Sequence, residues 1–246
     1  MNAIVQFDQV DRSFGKNRTL MAVDFGVERG ESVVIVGPDG SGKETIVLLA
    51  AGLDVPDRGA VTVNGLAAAA RRTRSAGTLG LVLGTTPFGL RESVGSSIRL
   101  RARLHSLGGS LARQRCDELV ATLGLSEKER DPIGVLGPLD AMRAEIAAAV
   151  VHHPDMLILH KPTAQLSSSQ ARDLIGDLKR LQRELGLAAL WTSSRADDLR
   201  HADRVVLLRA GTVRFTGTPD ALLSEAGQAD IPAAMAKLIG EGEGLV

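Results

Sequence analysis

The sequence predicts an α/β fold, a sheet core that carries a helical insertion. Three observations lead there. Residues 33–36 form a short apolar run, and Gly37, Gly40 and Gly42 follow before an apolar helical pattern through Ala51. That order reads as strand, phosphate-cradling loop and helix N-terminus. Strand-like runs alternate with helix-like runs at both ends of the chain, while the middle third is mostly helical in pattern.

Taken in order, residues 4–10 and 23–27 read as strands, with Arg12-Ser13-Phe14-Gly15 between them. The turn 28–31 leads into the strand before the loop. After the loop's helix, 55–59 is a connection, and 60–63 is a strand closed by the Asn64-Gly65 turn. Residues 67–74, small and basic, suit a surface helix. Residues 79–83 suit a buried strand, and 84–91 a loop. Helical patterns cover 98–107 and 111–123, broken at Gly108-Gly109-Ser110, and an Ala-rich one covers 139–151. A short strand at 156–159 precedes the clearest helix, 167–185. There Leu174, Leu178, Leu181 and Leu185 share one face and charges cover the other. Strands at 188–191, 205–208 and 213–215 follow. Thr218 caps a helix that opens on Pro219, and 231–239 is a last short helix.

The chain has 246 residues, 44% of them hydrophobic, which suits one large domain or a core with a subdomain. Twenty-nine basic and twenty-nine acidic residues cancel, so no global field selects nucleic acid or acidic lipid. A single cysteine, Cys116, excludes an internal disulfide and fits a reducing compartment. Asp8 and Asp11 fall where a signal peptide needs an apolar run. No stretch reaches the roughly 18 apolar residues of a spanning helix.

The stretch 33–45 carries the chemistry. Its glycines let backbone N–H groups curl around an anion, with Pro38, Asp39 and Ser41 completing the loop. Lys43 is placed to reach outer phosphates, and Thr45 follows in the helix. The position after the lysine requires a Ser or Thr hydroxyl for Mg²⁺, and here it is Glu44. A carboxylate that close to phosphates repels them by about 4 kcal/mol per charge pair at an effective dielectric near 20.

With these landmarks in place, the chain resembles the ATP-binding subunits of ABC transporters over nearly its whole length. Asn64-Gly65 follows the P-loop helix at the family's distance. Phe88-Gly89-Leu90 and Glu92-Ser93-Val94 resemble the segment after the family's glutamine loop. Leu136 and Met142-Arg143, before the Ala-rich helix and His153-Pro154, resemble the signature helix. The strand 156–159 with Pro162-Thr163 resembles the Walker B strand and its exit. Asp203-Arg204-Val205 and Gly211 to Gly217 resemble the closing strands. The Gly37-Pro38-Asp39-Gly40 loop and the Phe88-Gly89-Leu90 segment look most like the ABC-2-type drug-export branch, especially the first half of tandem subunits. The resemblance implies a P-loop NTPase (RecA-like) core with an N-terminal antiparallel β subdomain and an inserted helical subdomain. Its expected limits are 1–83 and 152–217 for the core, about 84–151 for the insertion, and 218–246 for the C-terminal helices.

The family's catalytic residues are not retained at the matching positions. The signature reads Leu136-Gly137-Pro138-Leu139-Asp140 in place of Leu-Ser-Gly-Gly-Gln. The Walker B aspartate is replaced by His160, the catalytic glutamate by Lys161, and the glutamine-loop glutamine by Gly84. The D-loop aspartate is replaced by Ser167, and the switch histidine by Ser193, or Ser194 in the neighbouring register. Phe14 occupies the place of the family's adenine-stacking aromatic, and a Phe buried at a strand end is the competing reading. Because the residue after the lysine and the Walker B pair converge in the family, Glu44, His160 and Lys161 are expected to cluster. A Glu44–Lys161 or Glu44–His160 contact would then stand where the metal was, against the alternative of independent drift.

Other signals read as structure. His152-His153 suits a surface turn rather than a metal site, since no second ligand pair lies near. Arg71-Arg72-Thr73-Arg74 and Arg99 to Arg103 suit solvated helix faces rather than a nucleic-acid footprint, since no aromatics interleave. Trp191 suits the core, and Cys116 has no base beside it. The resemblance then implies no catalytic or metal residues. Phe14, Gly37, Pro38, Asp39, Gly40, Ser41, Gly42, Lys43, Glu44 and Thr45 would hold ATP, weakly or without Mg²⁺. A multi-span membrane subunit, with an intact ABC ATPase or a second copy, would be the partners, on the cytoplasmic face of the membrane. Two other functions stay open: a stand-alone regulatory protein on the same fold, and a slow ATPase.

Overall fold

The computed structural model describes residues 3–68, 77–84 and 90–239. The chain runs β1 (Ala3–Phe14), β2 (Asn17–Glu28), β3 (Ser32–Val36), α1 (Lys43–Ala50), β4 (Arg58–Val63), β5 (Leu66–Ala67) and β6 (Leu79–Val82). Three helices follow, α2 (Val94–Leu104), α3 (Gly109–Thr122) and α4 (Pro138–Val150). Then come β7 (Met156–His160), α5 (Ser168–Leu185), β8 (Ala188–Thr192), α6 (Ala196–Leu199), β9 (Arg204–Arg209), β10 (Thr212–Gly217), α7 (Pro219–Ala226) and α8 (Ile231–Ile239). Most of the helix expected over 67–74, with Arg71 to Arg74, lies outside the described residues, as do Phe88 and Gly89.

Two sheets result. One is antiparallel with strand order β2-β1-β4-β5, and the other has order β10-β9-β3-β8-β7-β6. In the second sheet β3 pairs parallel with both β8 and β9, β7 pairs parallel with β8 and β6, and β10 alone runs antiparallel. Buried parallel strands must be apolar on both faces, and every residue of β3 and β8 is buried. Alternate residues split between two cores. Val34, Val36, Leu157, Leu159 and Trp191 face the helices α2 to α5. Val33, Ile35, Met156, Ile158 and Leu190 face α1 and the antiparallel sheet. The central sheet thus lies between a helical layer and a β layer, as the α/β reading requires.

Local chemistry sets the helix ends. Ser167 caps α5 by accepting from Gln170 N while its own N–H reaches Gln170 Oε1, a capping box. Gly186 ends that helix in the left-handed region at φ 66°. Thr218 accepts from Ala221 N, and Pro219 takes the first helical position of α7. The helix expected from residue 98 begins at Val94, because Ser93 accepts from Ser96 N and opens it one turn earlier. His105, at the end of α2, stacks on His152 with ring centroids 3.6 Å and planes 3° apart. Burial, then the His105 charge, pushes His152 down to about 4. The His152-His153 turn is therefore a packed junction on its His152 side, not a free surface turn.

Gly80 of β6 lies against α4. A Cβ there would meet Ala149 O at 2.5 Å and Leu157 Cδ1 at 3.1 Å, so the Ala-rich helix and this glycine let helix and strand approach closely. Gly80→Ala should lower stability by about 1–3 kcal/mol, the usual cost of overpacking. Urea unfolding followed by circular dichroism reads this directly, and an unchanged midpoint would contradict the close contact.

Candidate phosphate-binding site

The loop between β3 and α1 is built by close backbone approach. A Cβ on Gly37 would fall 2.0 Å from Leu208 O of β9, and one on Gly42 would fall 2.7 Å from Thr19 O of β2. Gly42 also needs φ 102° as the residue before α1, a conformation that L side chains rarely adopt. β9 and β2 thus press on the loop from two directions, and β2 brings Asn17 and Thr19 to its mouth.

A cleft of about 220 Å³ opens here, lined by Asn17, Thr19, Asp39, Gly40, Gly42, Lys43, Glu44, Thr45, His160 and Lys161. Glu44, His160 and Lys161 meet in it although more than a hundred residues separate the first from the others. Lys43 is buried, 4% exposed. Its Nζ donates to Gly37 O at 2.6 Å and Pro38 O at 2.7 Å and lies 3.5 Å from Ser41 Oγ. Burial pulls its pKa down to about 8, which nearby Asp39 opposes and Lys161 reinforces.

The expected Glu44–Lys161 and Glu44–His160 contacts do not form as hydrogen bonds or ion pairs. Lys161 Nζ pairs with Asp39 Oδ1 at 3.2 Å. The reason lies in the backbone. Lys161 has φ 47°, and its N–H donates to Thr192 Oγ1 at 2.9 Å, which fixes where its side chain leaves the chain. Thr192 Oγ1 also lies 3.1 Å from His160 Nδ1. Burial lowers the His160 pKa, Glu44 opposes that by charge, and Lys161 and Lys43 add to it. Glu44 itself is exposed.

Other expected positions lie apart from the cleft lining. Phe14 is 48% exposed, so it is not a buried strand-end residue. The Arg12 guanidinium covers one face of its ring at 4.7 Å, held there by Asp54 and Asp57. Gly84, two residues past β6, has φ 106°. Ser193 is buried and donates to Asp198 Oδ2 at 2.7 Å, where Thr163 Oγ1 also donates. At the signature position Gly137 precedes α4 and Pro138 opens it. Asp140 accepts from Lys128 and, at 3.2 Å, from Arg143. Burial alone would raise the Asp140 carboxyl, and these two cations outweigh it and hold it below the usual range. Elsewhere Cys116, Asp117 and Glu129 converge, but Arg99 lies against Cys116 and is paired with Glu129. Burial pushes the Cys116 thiol up.

The donor set decides which group fits. Loop amides, Lys43 and Thr45 fit an outer phosphate. Mg²⁺ takes oxygen ligands; here Glu44, Asp39 and the Thr19 and Thr45 hydroxyls line the cleft beside two ammonium groups and an imidazole, and Asp39 is already paired with Lys161. Mg²⁺ does not fit.

A family model described as ABC transporter matches residues 20–164. The chain belongs to the ABC transporter family. It is 33% identical over 207 residues to the Fe(3+) ions import ATP-binding protein FbpC of Streptomyces avermitilis, covering 84% of this chain and 60% of FbpC. It is 32% identical over 220 residues to the lipoprotein-releasing system ATP-binding protein LolD 1 of Rhodospirillum rubrum, covering 86% of this chain and 97% of LolD 1. Its fold is similar to that of cbiO1 from Clostridium perfringens, part of the ABC transporter complex cbiONQ. The TM-score is 0.83 at 22% identity, over 92% of each chain. This ABC domain keeps the family's antiparallel sheet, parallel core and helices, and no helix among its described residues is long and apolar enough to cross a membrane.

Asn17, Thr19, Thr192 and the Asp39–Lys161 pairing were not legible in the sequence. No motif marks them, since β2 and the end of β7 reach the loop only through the fold. Anion binding requires Lys43 charged, and its pKa near 8 places its loss of charge just above neutrality. A bound phosphate would restore that charge by taking up a proton. Pyrophosphate affinity should therefore fall about tenfold between pH 7 and pH 9, read by isothermal titration. Affinity that is flat across this range would contradict the buried lysine as the anchor.

Proposed function

We propose that this chain is a hydrolytically silent nucleotide-binding subunit of an ABC transporter. It would dock on a multi-span membrane subunit at the inner face of the membrane and pair with an intact ABC ATPase or with a second copy. The observation that carries this reading is Lys161. The position of the water-orienting carboxylate holds an ammonium, ion-paired with Asp39 of the P-loop. With His160 in place of the Walker B aspartate and Lys161 in place of the glutamate, neither of these two positions offers a carboxylate to a metal or to an attacking water. The loss of a general base costs ~10²–10⁴ in rate, and the loss of the metal removes several kcal/mol more of charge stabilisation.

ATP would bind through Phe14, the loop amides, Lys43 and Thr45 without Mg²⁺. The Gly37-Pro38-Asp39-Gly40 loop favours the ABC-2-type export branch. In a head-to-tail pair both composite sites are damaged by this one chain. Site one joins its P-loop, His160 and Lys161 to the partner's signature. Site two joins the partner's P-loop to residues 136–140, where Pro138 stiffens the turn and Leu139 adds a side chain. The tie of Asp140 to Lys128 and Arg143 holds that segment in place. The subunit then acts as a brake or a placeholder rather than a motor.

The test is ATP hydrolysis with Mg²⁺. The purified chain should release no phosphate above a protein-free control, and Lys161→Glu alone should not restore turnover. Titrating an intact partner ATPase with this chain should lower the rate per partner. Hydrolysis that co-elutes with the wild-type chain, or a rise in partner turnover, would overturn the reading.

A further inference from the structure

The Asp39–Lys161 pair has a consequence beyond the loss of hydrolysis. Asp39 stands on the turn at the tip of the P-loop, where Ser41 N donates to Pro38 O at 3.2 Å. Its side chain is 80% exposed, and the Lys161 side chain is only 34% exposed. One partner therefore faces solvent while the other is largely covered. The Lys161 backbone is tied to Thr192, and its ammonium faces the same cleft as Lys43. Two lysines thus converge on the space where outer phosphates would lie, and a carboxylate of the loop itself already occupies the second one. The Lys161 hydrogen bond, then the charges of Lys161 and Lys43, hold the Asp39 carboxyl below its usual range. It therefore stays an anion at neutral pH.

We propose that Asp39 and Lys161 form a gate over the P-loop, in which the Asp39 carboxylate holds the place of an outer phosphate until a metal-free polyphosphate displaces it. The inference rests on the reading of the cleft as a nucleotide site without Mg²⁺ and adds how that site is regulated. The ligand class follows from charge. A monoanion gains little over the carboxylate it must replace. A di- or triphosphate free of metal carries several negative charges and can meet Lys43 and Lys161 together. A Mg²⁺ complex has part of that charge neutralised and brings a cation toward two ammonium groups, so the gate selects against it. The exposed pair is weak, as such pairs are, so the gate tunes affinity rather than closing the site.

The test is a double-mutant cycle in the full chain with Asp39→Asn, Lys161→Gln and both together. Pyrophosphate and ATP are titrated in EDTA and again in excess Mg²⁺. Thermal unfolding is recorded for each variant, so that a loss of fold is read separately from a loss of binding. Asp39→Asn should tighten metal-free binding about two- to fivefold, in line with an exposed ion pair, and Lys161→Gln should weaken it. The Asp39→Asn gain should vanish in the Lys161→Gln background, and Mg²⁺ should weaken binding to the wild-type chain. A gain that persists without Lys161 would show that Asp39 merely repels anions, and no gain at all would show that the pair does not gate. Either result overturns the proposal. Binding of ATP but not pyrophosphate would also overturn it, since the selection would then lie with the base. Phosphate release assayed in parallel tests the silent-subunit reading separately.

Discussion

Backbone packed on backbone at Gly37 and Gly42 is the constraint on which the site depends. β9 and β2 come so near the loop that a single methyl at either glycine would collide with a carbonyl oxygen. That contact joins the antiparallel sheet to the parallel one and fixes where α1 begins. It also forces Lys43 to start a helix with its side chain folded back over the loop carbonyls. The lysine is buried because its loop is compressed, and its pKa falls because it is buried. The geometry of a phosphate site thus survives through packing that serves the fold as much as the ligand.

Charged groups surround that geometry. Glu44 follows Lys43 at the start of α1, and Lys161 follows the end of β7. Simple charge pairing would join these two across the cleft. The structure instead gives Lys161 to Asp39 and leaves Glu44 exposed, with its charge acting on His160. The strained turn at Lys161 and its tie to Thr192 explain the choice, because they aim the ammonium at the loop tip rather than at α1. Residues at other positions that the family resemblance marks also make structural contacts. Ser167 serves as a helix cap, Ser193 binds the buried Asp198, and Asp140 is held between Lys128 and Arg143.

Much of the fold was legible because its signals are local. The buried strands are unbroken apolar runs, and α5 shows its leucine stripe and cap within one stretch. The loop's glycines and lysine lie within seven residues of one another. The unread features are those that only tertiary approach creates. Nothing near Asn17 or Thr19 marks them as cleft residues until β2 is laid on Gly42. The four-residue helix α6 has no periodicity to read, and the early start of α2 turned on one capping serine. Asp39 and Lys161 are 122 residues apart, and their pairing depends on a backbone angle that composition does not reveal. His152 looked like a surface turn residue because its partner, His105, comes from another helix.

The proposed reading puts ammonium groups in the place of a metal ion. Mn²⁺, a spectroscopic stand-in for Mg²⁺, tests it most directly. With protein and ATP present, the electron paramagnetic resonance signal should follow Mn²⁺ partition onto ATP in solution, with no nitrogen coupling from an imidazole. A protein-bound Mn²⁺ that shows such coupling, lost in His160→Gln, would contradict the account and establish a working cation site at the end of β7.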